Sequence, residues 1–410
     1  VSAPSNFTST PAKLGLLGSL YFAQGLPFGF FTQALPVLMR KTGFSLGQIG
    51  LSSLLALPWA LKFAWAPTVD RRWSARLGRR RSWILPLQVV AIVVLVALAL
   101  AGGARSMKTL MGAVLLLNLV AATQDIGTDG LAVDLLADGE RGLANGLQVA
   151  GYRVGMIVGG GVLLVFYDRL GPTTTFLAMA ALTALSTWPI GALREPAPRA
   201  SAEAVPTVHF LRRSGAARIL LVVMTYKIGD AFATGMLRPF LADAGLDLAD
   251  IGWLLGTVGF VAGLVGALCG GALMARLSRR AALVTFGALQ SLAVAGYAAL
   301  AFARPGRGAL AAICGAEHFA GGMATAALFT CMMDWCSRDA SATDYTVQAS
   351  AVVVATGVAA SAAGFTAQRL GYFHHFCLAT ALSLGALLVV HAAFPRERAT
   401  VEARKAAACA

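Results

Sequence analysis

The chain has 410 residues, of which 57% are hydrophobic and 13% charged, with a mean hydropathy of +0.71. A soluble domain carries about 25% charged residues, so this composition excludes disordered, collagenous, coiled-coil and soluble enzymatic chains and defines a polytopic membrane protein. At about 20 residues per crossing, the length accommodates roughly twelve helices and no sizeable extramembrane domain.

Apolar runs broken by Gly, Pro and charge predict helices at 14–39, 48–69, 83–104, 108–136, 143–167, 172–193, 217–240, 249–275, 281–303, 308–335, 343–367 and 371–394. Val1 to Lys13 lacks the charged-then-apolar order of a cleavable signal, so the first helix is expected to be retained. The longest polar stretch, 194–216, holds three of the fifteen prolines and divides the helices six and six. The expected organisation is an N-terminal six-helix bundle at 1–193, a linker at 194–216 and a C-terminal bundle with a short tail at 217–410.

An internal repeat supports this division. Asp134 and Gln148 recur as Asp334 and Gln348 at an offset of 200, and Pro36 and Gly50 recur as Pro239 and Gly252 with one residue of slippage. Two six-helix halves in parallel repeat form an all-α membrane protein of the major facilitator fold.

The net charge of +14 acquires its meaning from its distribution. Of the Lys and Arg residues, 21 lie at the amino end, on the even-numbered loops and in the tail, and eight on the odd-numbered loops. The bias predicts cytoplasmic termini and linker, with anionic lipid headgroups as secondary partners and no nucleic acid. The six cysteines sit mostly in apolar context without CxxC or metal spacing and read as packing residues. No cofactor or metal motif, Walker loop or nucleophile elbow is present in the sequence, and nothing in it points to an obligate protein partner; a gradient-driven transporter is favoured over an enzyme or an ATP-driven pump.

Ionisable residues inside helices are costly in lipid and mark the candidate site. They are Lys62 in the second helix, Asp125 and Asp129 in the fourth beside Gln124, Arg153 in the fifth, Lys227 and Asp230 in the seventh, and Glu317 with His318 in the tenth. Arg238, Asp134 and Asp334 lie at helix ends. Helices three, six, nine and twelve have uncharged interiors and are expected at the periphery. The charged positions either line a central cavity for substrate and protons or pair as buried salt bridges between helices. Asp125 and Asp129, at i and i+4, share a face and need a cation from Lys62 or Arg153, a proton, or a cationic substrate group. Arg153 is expected to neutralise one of them or to bind an acidic substrate group. Glu317 and His318 form a second titratable cluster, and Asp125, Asp129 and Glu317 are the candidate proton carriers, Asp129 first.

Glycines repeat every four residues at 151, 155 and 159, and at steps of four and three from 252 to 270, giving smooth strips for close helix packing or for rocking of the halves. Between helices two and three, Asp70 precedes Arg71-Arg72-Trp73-Ser74-Ala75-Arg76-Leu77-Gly78-Arg79-Arg80-Arg81. An acid at a helix end followed by Gly and clustered Arg resembles the second-to-third-helix signature of major facilitator transporters, stretched between the Asp and the Gly. Asp70, Arg79, Arg80, Asp134, Glu140, Arg141 and Asp334 are the expected gating residues.

Lys62-Phe63-Ala64-Trp65-Ala66-Pro67 running to Asp70, Gly78-Arg79-Arg80-Arg81-Ser82-Trp83, Gln124-Asp125-Ile126 with Asp129, Glu140-Arg141-Gly142 and Gly151-Tyr152-Arg153-Val154-Gly155-Met156 together resemble the AmpG-type anhydromuropeptide permeases. The resemblance is specific over about the first 165 residues; later, Ser341-Ala342-Thr343 to Ser350 is similar. It implies a proton-driven inner-membrane importer of anhydro-disaccharide peptides for cell-wall recycling. Siderophore importers and acetyl-CoA transporters of the wider family share several of these residues, so a siderophore or another medium-sized polar metabolite is the alternative cargo. A non-transporting receptor fits the repeat and the charges of both halves less well.

Overall fold

A computed structural model describes residues 9–43, 52–102, 106–195, 207–246, 248–303, 306–337 and 340–395. The middle of the expected linker, 196–206, and the tail beyond 395 lie outside the described residues.

Among the described residues, the helices make twelve crossings. Helix one runs through Thr10–Gly29, a π turn at Phe30–Ala34 and Leu35–Lys41. Helix two is built from short pieces, Ser52–Ala56, Leu57–Leu61, Lys62–Ala64 and Ala66–Arg71. Pro58 and Pro67 each sit in the first turn of an α segment there, where a missing N–H costs nothing. Helices three and four are Arg81–Leu100 and Met107–Leu135; helix five runs from Arg141–Ile157 through a π turn at Val158–Val162.

Helices five and six join at Gly171 and helices eleven and twelve at Gly371, within the stretches Leu163–Ala192 and Ser341–Ala393. The two glycines have φ of 80° and 74°, a left-handed conformation that lets the chain reverse without a loop. They are separated by the same 200 positions as the Asp134–Asp334 pair, a further correspondence between the halves.

Helix seven is broken twice, into Ala216–Tyr226, Ile228–Thr234 and Leu237–Asp243, with Lys227 at the first break. Helix eight comprises Leu248–Gly252, a π turn at Trp253–Val258 and Gly259–Leu273; helices nine and ten are Arg279–Phe302 and Arg307–Asp334. Eight described stretches are long and apolar enough to span, the last of them long enough for two crossings. Helices two, five and ten are not among them, because breaks, glycines and polar residues interrupt their apolar runs; they carry Lys62, Arg153, Glu317 and His318.

Packing reproduces the expected layering. The large apolar side chains more than 70% exposed are Leu100, Leu185, Trp188, Leu292, Phe302 and Leu388, all on helices three, six, nine and twelve. Those surfaces suit acyl chains. On one side of the molecule each half has its own apolar core, one around Phe30, Leu95, Leu117 and Phe176, the other around Phe232, Val294, Tyr297 and Phe376. Toward the linker side one core is shared, with Leu17, Tyr21, Val133 and Ala144 packed with Met323, Leu328, Met332 and Tyr345.

The glycine strips divide by role. Gly155 and Gly159 press helix five onto Phe22, Gly25 and Leu26 of helix one, inside the first half. Gly266 and Gly270 press helix eight onto Phe319 and Met323 of helix ten, inside the second. Contact between the halves is made by Gly142 and Gly146 against Ala267, Gly271 and Met274, while Gly252 and Gly256 have open space beside them. The halves therefore meet at the linker side and part beyond it.

Candidate functional site

In the first half, Lys62 is held at the break of helix two and forms a buried ion pair with Asp125 of helix four. Trp59 and Trp65 brace the break by donating to Asn118 and Thr123 of helix four at 3.1 Å each. Lys62 also lies 5.6 Å from the Trp59 ring, which packs with Phe28 and Tyr152 at centroid distances of 5.4 and 6.4 Å. Asp129, one turn below Asp125, accepts from Tyr21 Oη at 2.8 Å and from Gln148 Nε2 at 3.4 Å, and its carboxyl is within hydrogen-bonding reach of Asp125. One lysine faces two carboxyls, so a single proton between the aspartates makes the cluster neutral. Gln124 points away from this cluster, into a small cavity within the half that Gln24, Pro27 and Thr183 also line.

In the second half, Lys227 at the first break of helix seven pairs with Asp230 at 2.7 Å and donates to Gln290 at 3.3 Å. Asp230 lies within hydrogen-bonding reach of Glu317 on helix ten, yet its Oδ1 has no N–H or O–H donor among the described residues. Glu317 accepts from Tyr297 Oη at 3.3 Å and meets His318 Nδ1 at 2.9 Å, although the two residues are adjacent on one helix. Glu317 is buried, whereas Lys227, Asp230 and His318 keep partial exposure.

Arg153 is placed otherwise than its pairing with Asp125 or Asp129 required. It makes no hydrogen bond or ion pair among the described residues, and its guanidinium lies across Gly263 of helix eight, where a Cβ would collide with Nη1. Its nearest opposite charges are Glu317 and Asp230 of the other half. Lys62 already occupies Asp125, and the side chain of Arg153 points to the opposite wall of the interface. Gly259 and Gly263 leave room for His318 and Arg153, a use that glycine spacing alone did not distinguish from packing.

At the linker side the expected gating residues other than Glu140 form two bridges. Asp70 Oδ1 accepts from Arg79 at 2.9 Å and Arg80 at 2.8 Å, while Oδ2 accepts the backbone N–H and hydroxyl of Thr343 at 2.8 and 2.6 Å. Arg80 is buried and reaches Asp134 at 2.8 Å and Ser341 Oγ at 2.6 Å; Ser341 in turn donates to Asp134 at 2.6 Å. In the second bridge Asp334 accepts from Arg141 and Arg279, both at 2.6 Å. Glu140 belongs to neither bridge. It binds Lys13 at 2.8 Å and Thr10 at 2.6 Å and so ties helix one to the loop before helix five. Burial opposes its ionisation, but these bonds and the Ala137 N–H hold its carboxyl down at about 2.

Sequence reading missed Tyr21, Tyr297, Gln290, Arg279 and Glu195. Arg279 could have been found as the counterpart of Arg80 at an offset of 199. Glu195 accepts the Arg80 and Arg81 backbone N–H groups at the start of helix three, and burial raises its carboxyl above the ordinary range.

Two six-helix bundles, closed at one end by paired charge bridges and carrying ionisable clusters in the membrane, define a secondary transporter of the major facilitator class. The fold matches an outward conformation of the transporter FucP, with a TM-score of 0.73, 14% identity and coverage of 93% of this chain and 98% of that one. It matches an outward-facing bacterial homologue of the iron transporter ferroportin with a TM-score of 0.72 and 16% identity, covering 94% and 99%. The family described as acetyl-coenzyme A transporter 1 matches residues 13–170. The anhydromuropeptide permease of Escherichia coli K12 is 33% identical over 389 residues, covering 92% of this chain and 79% of that protein. The chain belongs to the anhydromuropeptide permease family.

Proposed function

We propose that this protein imports anhydromuropeptides across the bacterial inner membrane by alternating access, coupled to protons, with both termini and the linker in the cytoplasm. Family membership supports the cargo, and the 21 to 8 partition of basic residues supports the orientation. In that orientation the two charge bridges are cytoplasmic and the described state opens to the periplasm. The halves 1–193 and 217–410 act as the rocking bodies, with the linker at 194–216 between them.

The observation that carries the reading is that each half holds a carboxyl cluster, Asp125–Asp129 with Lys62 in the first and Asp230–Glu317 with Lys227 in the second. Each holds two carboxyls against one resident lysine, an arrangement that takes up and gives back a proton as its surroundings change. Glu317 is the better placed carrier: it lies behind the partly exposed Asp230 and His318, while Asp129 is enclosed by Tyr21 and Gln148. This reorders the candidates, with Asp129 second. Basic residues at the cytoplasmic ends meet anionic headgroups.

The test is uptake of a radiolabelled anhydrodisaccharide peptide by proteoliposomes under an inward proton gradient. Accumulation that collapses with an uncoupler and is lost in Glu317→Gln supports the proposal. Accumulation indifferent to uncoupler contradicts the coupling, and no uptake of this cargo alongside uptake of a ferric siderophore contradicts the cargo.

A further inference from the structure

The second half contains a charge balance that the first half lacks. Lys62 alone faces Asp125 and Asp129, but Asp230 and Glu317 are faced by Lys227 and, from across the interface, by Arg153. With Arg153 present and His318 neutral, two cations meet two carboxylates. Without it, one proton is needed in its place.

The groups around the carboxyl pair come from four helices. Lys227 is on helix seven with Asp230, Tyr297 and Gln290 are on helix nine, Cys314 and His318 are on helix ten with Glu317, and Arg153 is on helix five. Of the cations, Lys227 is bound within its own half, and Arg153 alone belongs to the other half and has no hydrogen-bonding partner among the described residues. Its guanidinium and the His318 ring lie side by side on a floor made by Gly263 and Gly259, beside the open stretch at Gly256 and Gly252. A planar, permanently charged and partly exposed fork, with donors to spare, suits a carboxylate.

We propose that Arg153 binds a carboxylate of the transported molecule, and that it does so in exchange for the Asp230–Glu317 pair, which takes up a proton as the guanidinium turns to the ligand. One proton and one carboxylate enter the site together, so its net charge is unchanged. The carboxylate leaves Arg153 when the proton leaves the pair, and the guanidinium returns to the pair. The coupling is a shared cation: the ligand's anion and the ionised pair compete for Arg153, and protonation removes the competitor. This inference rests on the proposed cargo for the identity of the anion, a free carboxylate of the peptide.

The experiment uses the full chain in lipid nanodiscs and two probes, an anhydrodisaccharide tripeptide with free carboxylates and the same compound with its carboxylates amidated. Calorimetry at pH 6 and pH 8 is expected to show the wild type preferring the free acid by about tenfold or more at pH 6, with the preference shrinking at pH 8. Glu317→Gln is expected to keep the full preference at pH 8. Arg153→Gln is expected to bind the amidated probe as the wild type does and to lose the preference; Arg153→Lys regains part of it. An unchanged preference in Arg153→Gln, or a wild-type preference independent of pH, overturns the proposal.

A second measurement needs no ligand and separates the proposal from the cargo. In an infrared titration, the protonated-carboxyl band that Glu317→Gln removes should persist to higher pH in Arg153→Gln than in the wild type, because a proton must replace the lost cation. If that shift appears while the wild type binds neither probe, the cargo is wrong and the shared cation stands. If the band titrates identically in both, Arg153 is not the shared cation.

Discussion

Arg141 and Ser341 stand 200 positions apart and occupy equivalent places, each in the first turn of a helix and each crossing to an Asp–Arg pair of the other half. Ser341 joins Asp134 and Arg80, and Arg141 joins Asp334 and Arg279. The two bridges close the same end of the molecule with different chemistry. One is completed by a hydroxyl and the other by a guanidinium, so the two are not equally strong.

Ser341→Ala therefore removes two hydrogen bonds from one bridge and leaves its ion pairs intact. The state closed at the linker side should lose about 1–2 kcal/mol relative to the opposite state. Distance distributions between spin labels on helices three and nine at that end should show a new longer component. Arg141→Ala, which removes a charged member, should enlarge that component further; no new component in either variant would mean the bridges do not hold the closure.

Lys62→Ala leaves the Asp125 carboxylate buried beside Asp129 without its cation and should cost roughly 3–5 kcal/mol. Lys62→Ala combined with Asp125→Ala removes both members and should recover most of that loss. A double-mutant cycle on melting in detergent reads the coupling; additive losses would contradict a direct pair.

Gly146 meets Ala267 O across the interface at a hypothetical Cβ distance of 2.6 Å, whereas Gly161 has nothing within 4 Å. Gly146→Ala should weaken closure at the linker side and lower uptake by about tenfold or more while the protein still melts cooperatively. Gly161→Ala should leave closure and uptake unchanged.

Glu140 gives a pH signature. Its folded-state carboxyl is held at about 2, below an ordinary 4.5. Its contribution is thus complete above about pH 4.5 and is lost as pH falls through about 2. The melting-temperature gap between the wild type and Glu140→Gln should be widest near neutrality and should narrow below about pH 4.5. A gap constant from pH 7 to pH 3 would contradict the Lys13 and Thr10 tether.

The twelve crossings, the peripheral set and most of the charged residues that meet at the linker side were legible in the sequence because lipid forbids stray charge and because the halves repeat. Asp134 and Asp334 could be matched by counting, and the uncharged interiors of helices three, six, nine and twelve predicted where Trp188 and Leu292 would face. The partner of Arg153 was not legible. Sequence places it on a helix but not on a side of the interface, and its destination depends on how Gly263 lets helices five and eight approach. The Glu317–His318 contact was likewise hidden, since neighbours on a helix point apart by about 100° and meet only through their rotamers. Tyr21 and Tyr297 gave no signal because a tyrosine in an apolar run reads as core until the carboxyl beside it is known.

Proton movement tied to cargo is the central claim, and it is read most directly with a pH dye sealed inside proteoliposomes and no imposed gradient. Adding the free-acid anhydrodisaccharide tripeptide outside should acidify the lumen in the wild type and leave it unchanged in Glu317→Gln. Cargo that enters wild-type vesicles without acidifying the lumen would contradict the account.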